Sequence, residues 1–177
     1  MRTSLVLTVI GDDKPGIVEQ VSDRILAAGA NWEESRMARL AGKFAGILRV
    51  SVDAERAEAL TDALRTLSAG GLTIVVERGT AGSAAARTVH LDLVGNDREG
   101  IVRDISRAVA RLGVNIEELE TGVTSAAMSG DTLFRANAIL RVPGDVTMAQ
   151  LRAVLEALAG ELMVDLTLDE DQDVRSA

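Results

Sequence analysis

An internal repeat constrains this chain more than any other feature. The stretch Gly11-Asp12-Asp13-Lys14-Pro15-Gly16-Ile17-Val18 returns 84 residues later as Gly95-Asn96-Asp97-Arg98-Glu99-Gly100-Ile101-Val102. Each copy follows an apolar run, Leu5 to Ile10 or Val89 to Val94, and precedes apolar residues at helical spacing. Each therefore reads as a strand, a tight turn and a helix start. Repetition at this period in 177 residues means two small domains, each able to bury a modest core. Such a turn aims backbone N–H groups and the positive end of a helix at one spot, which suits a small anion such as an amino-acid carboxylate. A single copy would read as a plain turn and helix cap. Two copies in matching context favour function.

The rest of the first half follows in order. Leu5 to Ile10 is apolar on both alternating sides, so it is expected as a central strand covered on both faces. Asp12 and Asp13 are expected to cap a helix whose buried stripe is Ile17, Val18, Val21, Ile25 and Ala28, with Gly29 as its stop. Asn31 opens a second strand that runs to about Leu40, and Ala41-Gly42-Lys43 turns it into a third, Phe44 to Val52. Asp53 is expected to cap a second helix, with Ala57, Leu60, Ala63, Leu64 and Leu67 inward, and Leu72 to Glu77 is the last strand.

The second half repeats this order: strand Thr88 to Val94, helix Glu99 to Leu112, strand from Asn115, strand to Val142, helix Thr147 to Ala159 and strand Leu162 to Leu168. The tetrapeptide Ile47-Leu48-Arg49-Val50 recurs as Ile139-Leu140-Arg141-Val142 at an offset of 92, which implies eight extra residues within Ser125 to Thr132, expected as an exposed loop. The boundaries are a first domain 1–78, a linker 79–87 rich in Gly, Ser and Ala, a second domain 88–168, and an acidic, disordered tail 169–177.

The fold class is thus α+β: two tandem ferredoxin-like βαββαβ units, each an antiparallel sheet with helices on one face. A unit of this kind with Gly-Asp-x-x-Pro-Gly-Ile-Val after its first strand, and Gly-Ala-Asn or Gly-Val-Asn-Ile entering its second, resembles the ACT domain, the small-molecule regulatory module of amino-acid metabolism. Two such units without an attached enzyme resemble the glycine cleavage system transcriptional repressor family. The resemblance implies an amino-acid effector at the interface between two units, touching the loop after the first strand and the start of the second. The matching residues are Asp12, Asp13, Gly16, Ile17 and Asn31 in the first half, and Asn96, Asp97, Gly100, Ile101 and Asn115 in the second. Backbone donors would take the carboxylate and an Asp or Asn oxygen the ammonium. Glu99 stands where the pattern has proline and Asn96 where it has aspartate; the added charge disfavours a carboxylate, so the first turn is expected to be the better site.

Composition excludes several classes. A formal charge of −8 and 2% aromatic residues argue against direct nucleic-acid binding, which wants basic surface and stacking rings. The absence of cysteine removes disulfides, thiolate zinc sites and cysteine nucleophiles, and fits a cytoplasmic location. No apolar run reaches membrane-spanning length, and the apolar stretch after Ser4 is too short for a signal peptide. His90 is the only histidine and is expected on the sheet face away from the helices, facing a neighbouring domain rather than doing catalysis. Glu117, Glu118 and Glu120 read as a solvated strand edge, and Ser35 and Ser106 lack a base. No catalytic residue, metal ligand or cofactor is assigned. The expected role is a non-enzymatic regulator with a small amino-acid effector and a protein partner, either a DNA-binding regulator or a metabolic enzyme, with a homodimer compatible. A pure interaction scaffold, or a regulatory subunit of a separately encoded enzyme of amino-acid metabolism, is the alternative.

Overall fold

The computed structural model describes residues 1–79, 86–125 and 132–170. Most of the expected linker, residues 126–131 of the expected exposed loop, and the tail beyond Glu170 lie outside the described residues. The chain divides into two compact units, Met1–Gly82 and Ser83–Ala177.

The first unit runs β1 (Arg2–Asp12), α1 (Ile17–Ala27), β2 (Asn31–Leu40), β3 (Lys43–Asp53), α2 (Ala57–Arg65) and β4 (Leu72–Arg78). Its sheet has the order β2-β3-β1-β4 with antiparallel neighbours. The second unit runs β5 (Ala86–Asn96), α3 (Ile101–Arg111), β6 (Asn115–Ser125), β7 (Thr132–Pro143), α4 (Met148–Leu162) and β8 (Val164–Glu170), in the order β6-β7-β5-β8. Both are the βαββαβ arrangement that the repeat predicts.

Each core lies between one sheet face and two helices. In the first unit Leu5, Leu7 and Val9 of β1 meet Val21 and Ile25 of α1 and Leu60 and Leu64 of α2. Leu91 and Leu93, Ile105 and Val109, and Leu151 and Leu155 do the same in the second. Removing each such side chain from water contributes about 1.5–3 kcal/mol, which explains why the stripes at helical spacing and the alternate strand positions coincide. β1 is central, as expected, but its helices cover one face only: Val6 is half-buried, and Thr8 and Ile10 are exposed. An apolar second face satisfies strand propensity as well as burial. Val18 likewise leaves the helix stripe, at 47% exposed.

Several local expectations are corrected. Asp53 ends β3 before a short 3-10 turn, and its side chain caps nothing. Leu67 is buried from a second 3-10 turn, Thr66–Gly70, rather than from α2. In the second unit Gly160 does not end α4, because Leu162 continues the buried stripe of Leu151 and Leu155; Met163 turns at φ 53, and β8 starts at Val164 instead of Leu162. Thr147, by contrast, is a true cap, in a reciprocal box with Gln150.

The eight-residue insertion is also corrected. β1 pairs Asp12 with Lys43, and β5 pairs Asn96 with Leu133. Since 96 is 12 plus 84 while 133 is 43 plus 90, the middle hairpin is six residues longer, not eight. The recurring Ile-Leu-Arg-Val tetrapeptides are therefore two rungs out of register. Because side chains alternate with a period of two, a slide of two keeps every residue on its face.

Candidate functional site

The first turn joins β1, ending at Asp12, to α1, starting at Ile17. Gly16 stands between them at φ 90, ψ 3, a left-handed conformation that side chains other than glycine adopt at a cost. Gly100 repeats it at φ 86, ψ 0. No side chain caps either helix, and the first bonds into the helices run from the Gln20 N–H to the Gly16 carbonyl and from the Asp104 N–H to the Gly100 carbonyl, both 3.0 Å. Among the described residues, the N–H groups of Ile17, Val18 and Glu19, and of Ile101, Val102 and Arg103, have no hydrogen-bond acceptor at a positive helix end. Ile17 and Ile101 are buried and pin each turn to its core.

The leading glycines of the motif do different work. A Cβ on Gly11 would lie 2.6 Å from Leu72 Cδ2, and one on Gly95 would lie 2.2 Å from Val164 Cγ1. These glycines let the last strand start tight against the first.

Asp12 and Asp13 do not cap α1. Asp12 pairs with Lys43, and Asp13 accepts from Arg39 Nε, so both carboxylates turn toward the β2–β3 hairpin. The Asp13 N–H donates to the Gly42 carbonyl at 2.9 Å, and Asp97 repeats this with Thr132 at 2.9 Å. The hydrogen bond from Lys43, then its charge, holds the Asp12 carboxyl below its usual range. The cause of the misreading is tertiary: two cations at the hairpin mouth outcompete helix N–H groups several residues away. An ammonium binding at Asp12 or Asp13 must share them with Lys43 and Arg39. Asn96 ends β5 and is exposed.

The charge directly over each glycine comes from residues that sequence reasoning missed. A Cβ on Gly16 would lie 3.7 Å from a Glu19 carboxylate oxygen, whereas one on Gly100 would lie 3.2 Å from the Arg103 guanidinium. Weighing Glu99 alone favoured the first turn; Glu19 and Arg103, at the same position of the repeat register, weigh the other way. The signal was available in the sequence as the residue three after each cap glycine.

Asn31 and Asn115 are not brought to the turns of their own units. Asn31 is level with Ser51, which pairs with Ser4, while the turn is at Asp12; eight residues of strand separate them, about 26 Å. Asn115 is level with Arg141 and Thr88, equally far from Asn96. β2 runs parallel to β1, so its start lies at the opposite end of the sheet.

His90 does lie on the face away from the helices, half-buried, in a depression of about 290 Å³ with Asp92, Glu118, Glu120 and Asn137. The same face of the first unit has a depression of about 220 Å³ at Val6, Glu34, Arg36, Ile47 and Arg49. Glu117 pairs with Arg141 at 2.8 Å. Among the described residues no group of three or more His, Asp or Glu is placed to hold a metal ion, and no helix is long and apolar enough to cross a membrane.

Residues 3–77 match the ACT domain family model. The chain is 27% identical over 166 residues to the glycine cleavage system transcriptional repressor of Escherichia coli (strain K12), covering 89% of this chain and 85% of that protein. A crystal structure of an unknown protein from Galdieria sulphuraria is 35% identical and superposes with a TM-score of 0.86 over 96% of this chain and 99% of the other. Another, of a protein provisionally assigned as a glycine cleavage system transcriptional repressor, is 22% identical with a TM-score of 0.69 over 96% and 98%, and shares the fold. Residues 3–77 form an ACT domain, the second unit repeats its βαββαβ arrangement and its turn, and the chain as a whole resembles the glycine cleavage system transcriptional repressors.

Proposed function

We propose that the protein is a non-enzymatic regulator that takes up a small amino acid, glycine or one of similar size, at its ACT-type turns and acts through a partner protein. The partner is a DNA-binding regulator of amino-acid metabolism or a metabolic enzyme. One observation carries the reading: each unit holds a left-handed glycine in front of an uncapped helix N-terminus, with three backbone donors that have no acceptor among the described residues and suit a carboxylate. The resemblance to a repressor, together with the chain's acidic charge, supports an output through protein contact rather than through DNA.

Calorimetric titration of glycine and serine into the full chain tests this. Gly16→Asn and Gly100→Asn add a side chain at the carboxylate position while keeping a residue that tolerates the left-handed region. The expected result is saturable binding, weakened at least tenfold in one or both variants after each is shown to be folded. Unchanged affinity in both, or no binding of any small amino acid, rejects the reading. The scaffold alternative then takes its place, and the pairing of Asp12 and Asp13 with hairpin cations favours it, since those carboxylates already have a structural use.

A further inference from the structure

The helix layer of the second unit carries a charge pattern absent from the first. Arg98 precedes α3, and Arg103, Arg107 and Arg111 lie along it; the repeat counterparts are Lys14, Glu19, Asp23 and Ala27. In a chain with a formal charge of −8, four arginines on one short segment are a local reversal of sign.

Three of them converge. Arg98, Arg107 and Arg111 line a groove of about 410 Å³ between α3 and α4, with Asp104 and Ala108 on their side and Leu158, Glu161 and Leu162 opposite. Asp104 is engaged by Arg98 and Arg103, each at 3.0 Å, which holds Arg98 at the groove. Arg107 and Arg111 make no hydrogen bond or ion pair among the described residues. They are four apart on the helix, so their guanidiniums are neighbours and repel each other until a counter-charge joins them. Three arginines against the carboxylates of Asp104 and Glu161 leave the groove with an excess of one positive charge, and Arg103, which also pairs with Asp104, adds to the positive field beside it.

We propose that this groove binds a small oxyanion with two or more negative charges, a phosphate-bearing or polycarboxylate molecule, held by Arg98, Arg107 and Arg111. Guanidinium donors form a planar fork that matches phosphate and carboxylate oxygens two at a time, and two forks one helical turn apart suit a ligand with two anionic groups. The volume is that of a small-molecule site, and buried Leu162 with half-buried Leu158 gives an apolar wall for the body of the ligand. A zwitterionic amino acid has too little negative charge to need this site. The proposal does not rest on the amino-acid reading.

The test is calorimetric titration of the full chain at fixed ionic strength with inorganic pyrophosphate and with citrate. Arg107→Ala, Arg111→Ala and the double variant are compared with wild type, and Arg24→Ala on α1 serves as the control. Alanine is a strong helix former, and circular dichroism checks that α3 persists. The expected result is one saturable site, weakened at least tenfold in the double variant and unchanged in Arg24→Ala. Preference for pyrophosphate identifies a phosphate ligand, and preference for citrate a polycarboxylate. No saturable binding of either probe, equal loss in Arg24→Ala, or undiminished affinity in the double variant overturns the proposal.

Discussion

The Asp12 carboxylate pairs with the Lys43 ammonium across the mouth of the β2–β3 hairpin, tying the first strand-to-helix turn to the start of the third strand. The pair is exposed, so it contributes little to stability and its effect is on geometry and titration. It keeps the acid off the helix start, where a carboxylate ligand would otherwise meet a negative cap.

Lys43→Met is expected to return the Asp12 carboxyl to the ordinary aspartate range of about 4. A folded-state value held low gives stability that is present above the unfolded value and is lost as the pH falls through the folded value. The small contribution of this pair therefore begins to fade near about pH 4, is gone below the lower folded-state value, and is untouched near neutrality. Carboxyl NMR titration of Asp12 in the two proteins measures it; coincident midpoints would contradict the assignment.

The charge over each cap glycine is expected to set the strength of its turn. Glu19→Gln should strengthen carboxylate binding at the first turn, and Arg103→Gln should weaken it at the second, each by about 0.3–1 kcal/mol, or up to about fivefold. Titration of glycine into the two variants reads this directly. Opposite signs would show that the ligand does not approach the helix ends.

Gly95→Ala is expected to destabilise the second unit by about 1–3 kcal/mol, because the new Cβ overlaps Val164 at the start of β8. Chemical denaturation measures the loss. A neutral result would mean that β8 shifts freely and that the glycine is not a packing requirement.

The hairpin at Ala41-Gly42 has φ 49 and φ 79, both left-handed, and places alanine where asparagine is preferred. Ala41→Asn should stabilise the first unit by about 0.5–1 kcal/mol, seen as a higher denaturation midpoint. A lower midpoint would refute the strain argument.

Purified protein is expected to give no specific gel shift with duplex DNA at physiological salt, since its net charge is −8. A specific shift without a second protein would overturn the partner-mediated output.

The sequence makes the architecture legible for a physical reason. Periodicity reports burial, so Ile17, Val21 and Ile25 in α1 and Leu60 and Leu64 in α2 could be placed before any coordinates. Gly16 and Gly100 were legible because a tight strand-to-helix turn demands a left-handed residue. What failed depends on distant partners. The direction of Asp13 is decided by Arg39, 26 residues away, and the field over Gly16 by where the Glu19 side chain swings. Asn31, which the family pattern names together with the turn, lies at the far end of its own sheet because β1 and β2 run parallel.

The two-rung slide between the tetrapeptides has a practical consequence for anyone grafting residues from one half into the other. Matching the halves by identity sets Arg49 against Arg141, but the residue that faces His90 as Arg49 faces Val6 is Ile139. A cross-strand staple or a domain chimera designed on the identical letters would put its partners on the correct side of the sheet and about 7 Å apart along the strand. The two halves preserve the rhythm of the third strand rather than its spelling.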